Sequence, residues 1–178
     1  MKLRLAALLV ALAFATLPQL SLAQTVDLPP QSMFGAWDCK DITYAVFPNG
    51  RLMVHAVEPA GTGETLAFGI WRLKGREFIN TGLMAKVTSR GLPSTGWQSF
   101  HKTNKHDDIN AIFVDHWFVN SASESELTYT SLGETNWDGT DVYRTPAPKP
   151  ETCRRDHAEY QRLSDELISL ARERALPK

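Results

Sequence analysis

The chain reads as an all-β protein, an up-and-down meander that closes into a barrel of about eight to nine strands, followed by one C-terminal α-helix. Three observations predict this. Short runs of alternating apolar and polar residues recur from Ile42 to Thr145, separated by turn chemistry. Nothing in that stretch repeats with a helical period. After Pro146-Ala147-Pro148-Lys149-Pro150 the period changes to steps of three and four. A meander of short strands must hide its edges, and closing on itself does so.

The first residues are expected to lie outside the fold. Lys2 and Arg4 form a basic start, Leu5 to Leu17 is uncharged, Pro18 breaks the run, and Ser21-Leu22-Ala23 offers small residues for cleavage before Gln24. That is the pattern of a secretory signal peptide over residues 1–23. The apolar run falls short of the roughly 20 residues that span a bilayer. No later run is long enough either, so the mature chain is expected to lack a transmembrane segment. Of 178 residues, 19 are basic and 20 acidic. Loss of Lys2 and Arg4 moves the balance further to the acidic side, which argues against nucleic acid as a partner. The expected location is the bacterial periplasm.

Residues 24–32, with Pro29-Pro30, are expected to be a flexible lead-in. The barrel is placed at 33–145. Its strands are predicted at Ile42 to Phe47, Arg51 to Val57, Thr65 to Leu73, Glu77 to Asn80, Leu83 to Thr88, Trp97 to Lys102, Ile109 to Val119, Glu126 to Leu132 and Thr140 to Thr145. Pro48-Asn49-Gly50 joins the first two, because Asn and Gly tolerate positive φ. Residues 146–178 are predicted as a Pro-rich linker and a helix. Cys153, His157, Tyr160, Leu163, Leu167 and Leu170 would form its apolar stripe. Arg154, Arg155, Glu159, Arg162, Glu166 and Arg172 would face water, with Glu151 paired four residues before Arg155.

The two cysteines are Cys39 and Cys153. An even count in an exported chain predicts one disulfide. In the chain-entropy picture a loop of that size stabilises by ~4–5 kcal/mol. The rival reading is two buried thiols, or a metal or redox pair, and the chain has no CxxC.

Gly35-Ala36-Trp37 at the entry to the meander resembles the first signature of the lipocalins and their calycin relatives, here as a small bacterial exported domain. The resemblance spans about residues 34–171 and rests mainly on topology. It implies a tryptophan at the closed barrel base with an arginine from the last strand across its indole. Arg144 stands where the meander is predicted to end, so Gly35, Trp37 and Arg144 are the expected base. A helix after the barrel and a disulfide from the C-terminal segment also look like lipocalin features. The family's Thr-Asp-Tyr turn motif has no clear equivalent; Thr140-Asp141 comes late and lacks the adjacent tyrosine.

Candidate chemistry is sparse. His101 and His106 flank a Lys-Thr-Asn-Lys turn beside Asp107 and Asp108, but the spacing matches no metal motif, so no metal and no cofactor are predicted. Asp115 and His116 are strand neighbours and point to opposite faces. Asp115 shares a face with Phe113 and Trp117. An inward carboxylate needs a partner, and Arg72 and His55 are the candidates weighed. No Gly-x-Ser-x-Gly and no phosphate loop occur, and Ser94 and Ser99 have no evident partner. An enzyme is therefore the least expected reading, and it would need an inward His–carboxylate pair within hydrogen-bond reach in a cleft. Tyr44, Phe68, Trp71, Asp115, Trp117 and Tyr129 are the expected lining of a cavity for a small, largely apolar ligand. The alternative is an envelope protein-interaction module, an inhibitor or accessory subunit with a filled barrel, using the excursion at Ser89–Asp108 or the charged helix face.

Overall fold

Apolar residues that alternate along short runs pair into strands, and the described residues do so ten times. The computed structural model describes residues 26–58, 61–101 and 112–174. The strands are β1 (Gly35–Asp38), β2 (Ile42–Val46), β3 (Arg51–Val57), β4 (Gly63–Lys74), β5 (Glu77–Ser89), β6 (Gln98–Ser99), β7 (Phe113–Ala122), β8 (Glu126–Asn136), β9 (Asp141–Arg144) and β10 (Pro150–Arg155). One helix, α1 (His157–Arg174), follows, and a 3-10 turn, Pro30–Met33, precedes β1. The predicted signal peptide lies outside the described residues, as do His106, Asp107 and Asp108.

Eight strands form an antiparallel ring in the order β1-β2-β3-β4-β5-β7-β8-β10, with β10 returning to β1. Among the described residues, strand β6 pairs only with the C-terminal half of β5, and β9 only with the far end of β8. The barrel and its terminal helix are as the sequence predicts.

Several features differ: Gly35–Asp38 is a strand, the strand at 97–102 shortens to Gln98–Ser99 among the described residues, and Asp141–Arg144 lies outside the ring. The strands predicted at Glu77 to Asn80 and Leu83 to Thr88 are one strand, β5. Its register slips so that Phe68 faces Met84 while Gly69 faces Gly82, leaving Leu83 as a bulge. The largest difference is β10. Residues 150–155, expected as linker and first helical turn, are the strand that closes the ring. Pro150 is tolerated because it starts the strand. Cys153 therefore lies in β10 rather than in the helix. Glu151 is in the sheet too, accepting a hydrogen bond from the Tyr129 hydroxyl at 3.2 Å instead of pairing along a helix. Cys39 and Cys153 are bonded across 114 residues of chain, and the bond clasps the end of β1 to β10.

Helix α1 starts where Asp156 caps it. The Asp156 carboxylate accepts from the Glu159 backbone N–H at 2.9 Å, with Glu159 in the first turn. Leu163, Leu167 and Leu170 are buried against the outer face of the sheet, on Ala45, Met53, Leu66, Phe68 and Met84. Each such leucine stabilises by about 1.5–3 kcal/mol on burial. Tyr160 packs on Phe47 with centroids 5.2 Å apart. The chain after β5 folds back to seat Trp97 in this same cluster, where the Lys86 ammonium lies 5.3 Å from its ring centroid and also pairs with Glu166 of the helix.

Candidate functional site

The base of the barrel is built around Trp37. Its indole is fully buried and donates to the Met33 carbonyl at 2.8 Å. A guanidinium does lie over the ring, 4.2 Å from its centroid, but it belongs to Arg155. Arg144 was the expected partner; it sits in β9, outside the ring, opposite Gly133. The reason is the extra strand: the last strand of the ring is β10, so its arginine occupies the base. Arg155 also donates to the Phe34 carbonyl at 2.5 Å. Gly35 has φ of +130°, and a Cβ there would fall 2.2 Å from the Arg155 guanidinium. A side chain at 35 would meet both a strained backbone and the cation.

Above this base the ring is packed with aromatic rings. Phe34, Trp71, Phe78, Trp117 and Tyr129 form a chain with neighbouring centroids 4.5 to 6.0 Å apart, and Tyr44 meets Trp117 edge-on at 4.4 Å. The Trp71 indole donates to the Phe47 carbonyl at 2.9 Å, which holds it in place. These rings are an aromatic floor. Phe68, expected among them, belongs to the other side of the sheet, in the cluster beneath α1. Alternation from Trp71 requires this, since positions three apart on a strand face opposite ways.

Beyond the floor the wall changes character. Tyr44, Val54, Ala67 and Ala85 face one another in successive strands, and all four are only half-buried. Their outward neighbours Ala45, Met53, Phe68 and Met84 form the next rung and are buried under the helix. Water thus reaches the inner wall where it does not reach the outer one. A further inner rung is Trp71, Asn80, Asp115 and Glu134. Asp115 points inward beside Trp117, and burial followed by the adjacent Glu134 carboxylate pushes its pKa from 3.8 up to about 7. Glu134, directly across on β8, thereby favours the protonated form of Asp115. Asn80, only 4 % exposed, favours the charged form of Asp115 from the next strand, yet its Nδ2 reaches no partner with hydrogen-bond geometry. Burial, and after it the Asp115 charge, raises the Tyr44 phenol. Burial and Glu151 raise Tyr129.

Neither predicted partner of Asp115 reaches it. His55 lies on the outer side between Glu64 at 3.1 Å and Glu159 at 2.8 Å, tying the helix to the barrel. Arg72 is exposed on the opposite face of β4. His116, back to back with Asp115, forms a second cluster that the sequence did not reveal. Its Nδ1 is 2.8 Å from Glu77 and its Nε2 3.1 Å from the Thr135 hydroxyl, in an outer cleft of about 230 Å3 that Gly133 and Arg144 also line. Chemically this is an imidazole oriented by a carboxylate against a hydroxyl, and it braces β5, β7 and β8. Only strand pairing brings these three together, because they are distant in the chain. Among the described residues no group of three or more His, Cys, Asp or Glu could hold a metal ion, and no helix is long and apolar enough to cross a membrane.

Of the expected lining residues, Tyr44, Trp71, Asp115, Trp117 and Tyr129 converge on the interior. Asn80 and Glu134 complete the group. An inward asparagine opposite Asp115 was the signal available, but only a known register would have exposed it. No protein-family model, no curated protein and no solved structure matches this chain.

Proposed function

We propose that this is an exported, lipocalin-like protein of the calycin type that binds a small, largely apolar ligand in the upper half of its barrel. The ligand would lie on the Trp117 and Tyr44 rings, against Val54, Ala67 and Ala85. The observation that carries this is the half-buried inner rung of small residues, set back to back with an outer rung that α1 buries. A wall of valine and alanine above a floor of large rings would leave room that the floor itself does not. The Cys39–Cys153 disulfide supports export, since such bonds persist in oxidising compartments. The periplasm and cleavage of residues 1–23 belong to the same reading, checked by fractionation and by sequencing the mature N-terminus, expected to begin at Gln24.

Native mass spectrometry of protein purified from the periplasm is expected to show a bound small molecule. Titration with apolar probes should quench tryptophan fluorescence saturably, and Ala67→Trp should abolish the quench while the fold survives. No mass adduct and no saturable quench with any probe would remove the reading.

The second reading is a protein-interaction module in the envelope. One observation favours it: an apolar groove of about 410 Å3 on the outer wall, lined by Ile70, Leu83, Val114 and Trp137, where Ile70 is 48 % exposed. Capture of a stoichiometric envelope partner that Ile70→Asp prevents would establish it, and capture unaffected by that change would dismiss the groove.

A further inference from the structure

We propose that the head group this barrel takes is an organic cation: a protonated amine with a hydrogen-bond acceptor on a neighbouring atom, joined to an apolar body. The inference rests on the interior-binding reading above and adds the chemistry of the head.

The inner rung offers two acceptor groups and one donor. Asp115 and Glu134 lie directly across β7 and β8 from each other. Asn80 lies across from Asp115 on β5. Two carboxyl groups facing each other repel when both ionise, and a cation placed between them relieves that repulsion. The charged and titratable groups around Asp115 are Tyr44 of β2, His116 of β7 itself, Glu134 and Tyr129 of β8, and Glu151 of β10 beyond Tyr129. Of these only His116 contributes positive charge, and its side chain is committed to Glu77 and Thr135 on the opposite face. Among the described residues, therefore, the groups that act on Asp115 leave this rung at negative potential. An anionic head would be repelled.

Asn80 supplies the second constraint. It is buried, it faces Asp115 and favours its charged form, and its Nδ2 reaches no partner with hydrogen-bond geometry. A buried donor without good hydrogen-bond geometry is costly, so a ligand that brings an acceptor to Nδ2 gains by satisfying it. Ammonium to the carboxylates and hydroxyl or carbonyl oxygen to Asn80 describes a 1,2-amino alcohol or an amino ketone. An inorganic cation fits less well, since no cluster of three or more ligating side chains exists among the described residues.

The reaction is an exchange of charge and proton. Near pH 7 Asp115 is part-protonated. An ammonium seated there favours its carboxylate, and the displaced proton passes to the buffer. Binding should thus release up to one proton.

The test uses four probes of one chain length: 2-aminododecan-1-ol, dodecylamine, dodecan-1-ol and dodecanoic acid. Tryptophan fluorescence gives affinities, and calorimetry in two buffers of different ionisation enthalpy gives the proton count at pH 7. The amino alcohol is expected to bind roughly tenfold or more tighter than the alcohol or the acid, with proton release. Asp115→Asn should remove that preference, with cooperative denaturant unfolding showing that the variant is folded. Asn80→Ala should erase the advantage of the amino alcohol over the plain amine. Equal or tighter binding of the acid or the alcohol would overturn the cationic head while leaving interior binding intact. Failure of all four probes would overturn both.

Discussion

The two faces of this sheet make opposite use of neighbouring residues. On the outside, Ala45, Met53, Phe68 and Met84 vanish under three leucines of α1. On the inside, one residue along each strand, Tyr44, Val54, Ala67 and Ala85 remain half-buried. A barrel's outer wall usually meets water, and its inner wall usually makes the core. Here the helix moves much of the dry core outside the ring. The interior then needs to be solid only at the base, where Trp37, Phe78 and Trp117 fill it. The remaining inner wall is free to carry groups that a core would exclude, Asp115 and Asn80 among them. Stability and chemistry are thereby assigned to different sides of the same strands.

Several changes break or sharpen this contrast. The largest effect is expected from the clasp that joins the base to the last strand. Replacing Cys39 and Cys153 by alanine should lower unfolding free energy by about 3–5 kcal/mol, read by denaturant titration. On the outer face, Leu167→Ala or Leu170→Ala should cost about 2–5 kcal/mol without altering any ligand affinity. Loss of affinity together with stability would mean that the two faces are not independent. At the base, Arg155→Ala should destabilise by about 1–2 kcal/mol and shift Trp37 fluorescence, whereas Arg144→Ala should leave that emission where it was. Reversal of the two results would return the base to Arg144.

The inner face should answer in the opposite direction. Asp115 has a folded pKa raised from 3.8 to about 7, so the folded state holds a proton that the unfolded state gives up between those values. Its contribution to stability is therefore fullest below pH 4 and declines as pH rises to about 7. Asp115→Asn is expected to stabilise by about 1–2 kcal/mol at pH 8 and to change little at pH 4, as read by chemical denaturation at both pH values. Stabilisation of equal size at both would show that the effect is packing rather than charge.

Much of the fold was legible because alternation, turn chemistry and the Leu163-Leu167-Leu170 stripe are local signals. The disulfide was legible from count and compartment. Residues 150–155 were not: Pro-Glu-Thr-Cys-Arg-Arg carries little alternation of its own, and it becomes a strand because β1 and β8 leave a gap with unpaired backbone groups on both sides. That one element accounts for the exchange of Arg144 for Arg155. The site was legible in part. Asp115 and Trp117 could be assigned to one face from spacing alone. Of Phe68 and Trp71 alternation allowed only one inside, and which one depended on register, because a slip of one residue swaps the faces of a strand.

By itself, then, the order of residues determined the element types, the sulfur bond and the presence of an acid on an aromatic strand face, since each depends on neighbours within a few positions or on composition. Tertiary structure alone decided which strand closes the ring, which arginine covers Trp37, and that Asn80 and Glu134 stand beside Asp115. Those outcomes depend on register between strands far apart in the chain, and register is set by the packing of the whole barrel rather than by any one strand.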